Sequence, residues 1–203
     1  MRILITACVL ALSFATQEPT WASSTAPDQH QRMPHVIGNC QFRAAEIDGG
    51  RVSGTADDAR GGYTVGYDSD LGFWAVFMSC EKLQPELLAE RAGIRKEGNA
   101  YALDDRQGQF VREQHAKFVP LDGKNWKGGG TLTDSTTGEP FNRYRRLHFC
   151  LVHDSHALCG WSDVVSHLSA PNESMLKNVL RLLNSIEFID DFKNLNVAPS
   201  SIQ

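Results

Sequence analysis

Two kinds of segment are missing from this 203-residue sequence. It has no run of basic residues and a formal net charge of −4, so it offers no electrostatic footprint for nucleic acid or an anionic membrane. Its longest apolar run, near residues 3–15, is shorter than the roughly 20 residues that span a bilayer. We therefore predict no nucleic-acid partner and no transmembrane segment.

Familiar catalytic motifs are also missing. The sequence contains no GxSxG, HExxH or GxGxxG pattern and no Walker loop. In "WKGGGT" the lysine, Lys127, precedes the glycines instead of following them, so we interpret residues 123–140 as a surface loop. We expect no cofactor. Catalysis by dispersed residues, with His115 or His148 and a neighbouring acid, is the alternative.

The N-terminal residues predict export. Arg2 precedes the apolar run, and Thr20 and Ala22 are the small residues that a signal peptidase recognises. We predict a signal peptide over residues 1–22, a flexible leader over 23–34, a single domain over 35–192 and a flexible tail over 193–203. Cleavage and lipidation at Cys8 is the alternative, but it would leave almost no signal segment. The predicted location is the periplasm or the secreted fraction.

Cysteine number supports the same location. Apart from Cys8 there are four cysteines, and an even number in an exported protein favours two disulfides. Three pairings are possible from the count alone. The choice among them depends on the segment "HFCLVHDSHALCG", residues 148–160, whose three histidines and two cysteines resemble a set of metal ligands.

We interpret this segment as a β-hairpin with its turn at "HDSH". Strands over residues 143–152 and 157–165 then place Cys150 directly opposite Cys159, at a Cα separation of roughly 4.5–5.5 Å that a disulfide accepts. This predicts a Cys150–Cys159 bridge and leaves Cys40–Cys80 as the second. Loop-closure entropy makes these bridges worth about 3 and about 4 kcal/mol, respectively.

The hairpin argues against a metal site. Both cysteines are consumed, and the period of two along a strand places His148 on the opposite face from His153 and His156. The zinc-site spacings CxxC and HExxH are absent. We therefore predict no metal ligands here, with His153 and His156 at an exposed turn.

The same register predicts two faces for the hairpin. In it, His148 is opposite Trp161, Arg146 is opposite Asp163, and Tyr144 is opposite Val165. One face carries apolar side chains directed at the core: Leu147, Phe149, Leu151, Leu158 and Val164, with Arg145 as the exception. The other carries residue types enriched at binding hot spots, and we predict it as a binding face: Tyr144, Arg146, His148, Trp161 and Asp163. The alternative is that a second layer buries Trp161.

The remaining patterns define the fold class. Residues 38–47 predict a strand, residues 63–67 and 73–78 a hairpin, and residues 108–119 one or two strands. A short helix follows Pro85 and ends at Gly93. The clearest helix lies within residues 169–185, capped by Ser169 or Asn172, with an apolar stripe at three- and four-residue steps: Met175 or Leu176, Val179, Leu180 and Leu183. Residues 186–188 alternate like a closing strand.

These elements predict an α+β domain. We expect an antiparallel sheet of about five to seven strands, with the C-terminal helix packed on one face and one short helix. For function, the sequence favours an exported binding or inhibitor module with a protein partner, such as an immunity-type protein against an envelope-targeted toxin. The alternatives are an envelope hydrolase with a dispersed active site and a structural or small-ligand-binding envelope protein.

Overall fold

The computed structural model describes residues 34–66, 73–169 and 175–190. The predicted signal peptide, the predicted tail, most of the predicted leader and the predicted cap Asn172 lie outside these ranges. Within them, no helix is both long enough and apolar enough to cross a membrane.

Twelve strands and three α-helices make up the described chain. The strands are β1 (Pro34–Ile37), β2 (Cys40–Arg43), β3 (Arg51–Ser53), β4 (Arg60–Val65), β5 (Trp74–Lys82), β6 (Ile94–Glu97), β7 (Ala100–Leu103), β8 (Lys117–Asp122), β9 (Lys127–Asp134), β10 (Tyr144–His153), β11 (His156–His167) and β12 (Glu187–Phe188). The α-helices are α1 (Leu87–Ala92), α2 (Gly108–Glu113) and α3 (Leu176–Ser185), and 3₁₀ turns occupy Asp105–Gln107 and Pro140–Asn142.

The strands form three sheets, and all their pairings are antiparallel. The largest has seven strands in the order β3-β4-β5-β11-β10-β9-β8. A three-stranded sheet has the order β1-β2-β12, and β6 and β7 form a hairpin. Helix α3 comes after β11 in the sequence and packs on one face of the large sheet. The predicted α+β class, with its antiparallel sheet and C-terminal helix, is confirmed.

The main core lies between the large sheet and the layer formed by α3 and the three-stranded sheet. Leu147, Phe149 and Leu158 are fully buried there, together with Leu182 and Leu183 of α3. A smaller apolar cluster lies on the opposite face of the sheet, where α1 and the β6–β7 hairpin cover Cys150, Ala157 and Cys159. The large sheet is therefore covered on one face and only partly covered on the other.

The β10–β11 hairpin at the centre of the sheet has the predicted register near its turn. Cys150 pairs with Cys159, His148 with Trp161, and His153 with His156. Asp154 and Ser155 form the two-residue connection, and Asp154 adopts the left-handed conformation (φ 49°) that such turns require. Phe149 covers Gly160, as expected, because a Cβ there would lie 2.8 Å from the Phe149 ring.

The register changes farther from the turn, and one part of the prediction is wrong. An irregularity between Arg145 and Leu147 pairs Tyr144 with His167 instead of Val165. Val164 and Val165 lie within the irregular segment of β11, between Ser162 and Ser166, where the regular alternation of inward and outward positions is lost. Val165 is fully buried, whereas Val164, predicted to face the core, is 40% exposed.

Arg145, the exception on the apolar face, is held by a partner on the neighbouring strand. Asp134 of β9 pairs with it, and the guanidinium donates two hydrogen bonds to that carboxylate, at 2.6 and 3.0 Å. A bidentate contact of this kind satisfies the charge of a partly buried arginine.

Several other predicted elements are present with adjusted limits. The 63–67 and 73–78 hairpin corresponds to β4 and β5. Helix α1 begins two residues after Pro85 and ends at Gly93, whose φ is 63°. In α3 the most buried side chains include Leu182, and Leu180 is only partly buried. The single strand predicted over 38–47 is instead β2, which forms a hairpin with β1.

The prediction of strands over residues 108–119 is wrong for its first half. The Asp104 carboxylate accepts a hydrogen bond from the Arg106 backbone N–H and starts a helical segment that continues through α2. This is the capping geometry that favours a helix start. Strand β8 begins only at Lys117, after His115 turns the chain with a left-handed backbone (φ 47°).

The surface loop predicted over residues 123–140 is wrong for its middle part, residues 127–134. Gly128, Gly129 and Gly130 lie in β9, an internal strand whose residues after Lys127 are all buried. A Cβ on Gly128 would lie 2.0 Å from the Cys150 carbonyl oxygen, and one on Gly129 would lie 2.7 Å from the Phe118 ring. The glycines therefore permit close packing with neighbouring strands instead of loop flexibility.

Both predicted disulfides are present. Cys150–Cys159 joins opposed residues whose Cα atoms are 4.0 Å apart, and Cys40–Cys80 ties β2 to β5 with a Cα separation of 5.6 Å. The first bridge closes the central hairpin. The second links the three-stranded sheet to the large sheet.

Removing either bridge is expected to destabilise the protein. We predict that replacing Cys40 and Cys80 together by alanine lowers the free energy of unfolding by about 4 kcal/mol, and that replacing Cys150 and Cys159 lowers it by about 3 kcal/mol. Urea denaturation of the oxidised protein and the two double variants measures both losses. Losses below about 1 kcal/mol in both variants would contradict this prediction.

Candidate functional site

The part of the large sheet that α1 leaves uncovered carries an exposed aromatic pair. Trp161 of β11 and Phe77 of β5 are directly paired, and their rings stack with centroids 5.1 Å apart and an interplanar angle of 22°. Trp161 is 38% exposed and Phe77 is 43% exposed. The sequence-based alternative, in which a second layer buries Trp161, is therefore wrong.

The backbone register brings the five predicted binding residues into two adjoining groups. His148 lies directly beside Trp161. The Nε atom of Arg146 lies 2.8 Å from an Asp163 carboxylate oxygen, and its Nη2 donates a hydrogen bond to the Tyr144 hydroxyl at 3.2 Å. The Arg146 guanidinium also lies over the Tyr144 ring, 5.6 Å from its centroid. We refer to these five residues with Phe77 as the open face.

A groove of about 450 Å³ borders the open face. Phe77 forms one side, and small residues of β3, β4 and β5 form the floor, among them Ser53, Gly62, Thr64 and Ala75. Arg60 also contributes to the lining. Because small side chains lie next to a large exposed ring, the surface has both a projection and a depression.

Burial and the neighbouring Arg146 favour the neutral form of His148 by lowering its pKa. Burial lowers the pKa of His148 from its ordinary value, the Arg146 guanidinium lowers it further, and the Asp163 carboxylate opposes the change. His148 is half-buried between Thr131 of β9 and Trp161. A neutral imidazole at this position lets Arg146 remain paired with Asp163 without a second nearby positive charge.

His115, the other histidine considered for catalysis, occupies a different site. Its Nδ1 atom lies 3.5 Å from an Asp134 carboxylate oxygen, but Asp134 is already held by Arg145. Arg145 lowers the pKa of Asp134 despite its burial, so this carboxylate is ionised near neutral pH. Neither His115 nor His148 contacts a serine, threonine or cysteine side chain through a hydrogen bond in the described ranges.

Phe77 is the open-face residue that the sequence analysis missed. A signal for it exists in "FWAVFMSC", where Trp74, Val76 and Met78 alternate as the buried side of β5. That alternation places Phe77 on the other side, with Ala75. Its pairing with Trp161 depends on how β5 aligns with β11, which a single sequence does not define.

The turn of the central hairpin forms a second polar cluster, and its His153 was predicted to be exposed. Instead, its imidazole is only 17% exposed and stacks on the Phe188 ring, with centroids 4.9 Å apart and the planes nearly parallel. Its two ring nitrogens lie near the Asn125 carbonyl oxygen and the Asp190 carboxylate. Burial lowers the pKa of His153, but these acceptors and Asp154 outweigh burial and raise it overall.

A comparison of the chain with models of known protein families, with curated proteins and with solved structures found no match.

The position of His148 predicts a dependence of stability on pH. Because its folded-state pKa is lowered, the unfolded chain binds a proton first as the pH falls below about 6.5, and this favours unfolding. A His148→Gln variant should lose less stability than the original protein between pH 7.5 and 5.5. The difference cannot exceed about 1.4 kcal/mol per pH unit, the limit for one proton.

Urea denaturation at the two pH values measures this difference. The comparison uses the change with pH in each protein, so a constant effect of the substitution cancels. An equal loss in both proteins would show that His148 does not take part in the pH dependence.

Proposed function

We propose that this protein is an exported binding module that recognises a protein partner through the open face. The observation that carries the proposal is the stacked Phe77–Trp161 pair, which stays substantially exposed at the centre of a sheet. Two disulfides fit a protein that works in an oxidising compartment.

The composition of the open face resembles that of a protein interface. Aromatic residues and arginine are enriched at interface hot spots, which tend to be central and surrounded by polar groups. Here Trp161 and Phe77 form the apolar centre, and the Arg146–Asp163 pair lies at its margin. Burying one such ring from full exposure is worth about 1.5–3 kcal/mol, and a partner gains the part of this that corresponds to the exposed 38% of Trp161 and 43% of Phe77.

The rigidity of the open face supports a protein that acts by covering a surface of its partner. The open face lies on β5, β10 and β11; one disulfide joins β10 to β11, and the other joins β5 to β2 of the three-stranded sheet. An interface that is already ordered loses little conformational entropy when it binds. Within this class we favour an inhibitor, and specifically an immunity-type protein that blocks an envelope-targeted toxin.

Substitution of the aromatic pair tests the proposal. We predict that Trp161→Ala or Phe77→Ala weakens binding to the partner by at least about 2 kcal/mol, or about 30-fold in Kd, because a hot-spot ring is lost. The partner is first isolated from an envelope extract on the immobilised protein, and its affinity is then measured by titration calorimetry.

Phe141→Ala supplies the matched control. Phe141 is 66% exposed but lies in the 3₁₀ turn before β10, outside the open face. It should leave the affinity unchanged. Failure to recover a stoichiometric protein partner would contradict the proposal, as would a partner whose affinity falls equally in the Phe141 variant.

One observation favours a second candidate, a hydrolase. The exposed His115 beside Asp134 resembles a catalytic base with an orienting carboxylate. If this is the function, the protein hydrolyses at least one member of a panel of ester, amide and glycoside substrates, and His115→Ala abolishes that activity. Inactivity across the panel, or full activity in the His115 variant, would reject a His115-dependent hydrolase.

A further inference from the structure

Contrary to the prediction from the sequence, we propose that His153, Asp154 and Asp190 form a binding site for a divalent transition-metal ion of the zinc class. One ligand atom from each residue lies within 4.8 Å of the other two. The site is at the tip of the central hairpin, on the sheet face opposite the open face, and does not depend on the proposed function.

The hydrogen bonds of His153 define which nitrogen is available. Its Nδ1 lies 2.7 Å from the Asn125 carbonyl oxygen, which can only accept a hydrogen bond. Nδ1 therefore carries the hydrogen, and the remaining position is Nε2. Metal-binding histidines characteristically donate their other N–H to a carbonyl or a carboxylate in this way.

The surroundings of Nε2 require a cation. This nitrogen lies 2.5 Å from an Asp190 carboxylate oxygen and 3.7 Å from an Asp154 oxygen. Ionised carboxylates only accept, so a neutral imidazole would direct its Nε2 lone pair at negatively charged oxygens. Either a proton or a metal ion must occupy this position, and a metal ion can satisfy all three groups together.

The separations suit a small ion after a modest adjustment. Zinc bonds of about 2.0–2.2 Å in tetrahedral array place neighbouring ligand atoms about 3.3 Å apart. The Asp154 oxygen, 3.7 Å from Nε2, is already near that value, and the Asp190 oxygen needs to move outward from 2.5 Å by less than about 1 Å. The Asp154 and Asp190 oxygens lie within 4.8 Å of each other and need to approach to the same spacing. The Asp190 side chain is 63% exposed, which leaves room for this change.

The residues that surround His153 already hold its imidazole in place. The Phe188 ring stacks on the His153 imidazole, and the Asn125 side chain holds the Phe188 backbone with two hydrogen bonds, at 3.1 and 2.9 Å. The loop before β9, the β10–β11 turn and β12 thus position one another. Support of this kind holds a ligand in the productive orientation.

The donor set selects the class of metal. Imidazole with carboxylates suits zinc and neighbouring transition metals, whereas calcium prefers six to eight oxygen ligands. Three protein ligands leave a position for water on a tetrahedral ion. Binding would join the hairpin tip to the chain after β12 and so tie the two larger sheets together at this end.

Zinc titration of the purified protein, prepared without a histidine tag and treated with EDTA, tests the proposal. Calorimetry should show one saturable site per chain, and Asp190→Asn should weaken it by at least about 10- to 100-fold. His156→Gln is the matched control, because His156 pairs with His153 across the turn but does not belong to the cluster. It should retain the affinity of the original protein.

Thermal unfolding supplies a second readout. Saturating zinc should raise the melting temperature of the original protein and of the His156 variant more than that of the Asp190 variant, and calcium should produce a smaller rise. Asp190 is exposed, so its substitution should leave the fold intact. The absence of saturable zinc binding, or equal binding by the Asp190 variant, would overturn the proposal.

Discussion

The covalent and hydrogen-bonded alignment of β10 with β11 is the constraint on which the rest of the structure depends. These strands are the middle of the seven-stranded sheet, and Cys150–Cys159 holds them in a single register next to a two-residue turn. A slip by one residue would exchange the two faces. The same alignment directs Leu147 and Phe149 into the main core, places the bridge under α1, and leaves His148 and Trp161 together beyond the helix.

Sequence patterns could predict the elements whose cues are local and agree with each other. The hairpin follows from a turn sequence, alternating side chains and two cysteines at matching distances from the turn, and α3 follows from its apolar stripe. Strand β9 could not be predicted in this way, because Gly128 and Gly129 act through close approach to Cys150 and Phe118 in other strands. The exchange of Val164 and Val165 likewise depends on an irregularity that alternation cannot reveal.

The candidate sites show the same difference between contacts that are local in the chain and contacts that are distant in it. The proximity of His148 to Trp161 could be predicted, since both lie in one hairpin. Phe77 joins them only through the pairing of β5 with β11, two strands separated by more than 70 residues in the chain. Similarly, the sequence places His153 in a turn but does not bring Asp190 or the Asn125 carbonyl to it. These groupings arise from packing between segments that are far apart in the chain, so patterns within one segment of the sequence do not reveal them.

The connectivity of the two bridges has a consequence for how the protein acquires them. Each joins neighbours in the order of the chain, Cys40 with Cys80 and Cys150 with Cys159, once Cys8 in the predicted signal peptide is set aside. Chains are synthesised from the N-terminus, so the first pair is complete well before the second. An oxidase that links cysteines in their order of emergence would generate the native arrangement directly, without the slow reshuffling that interleaved bridges impose.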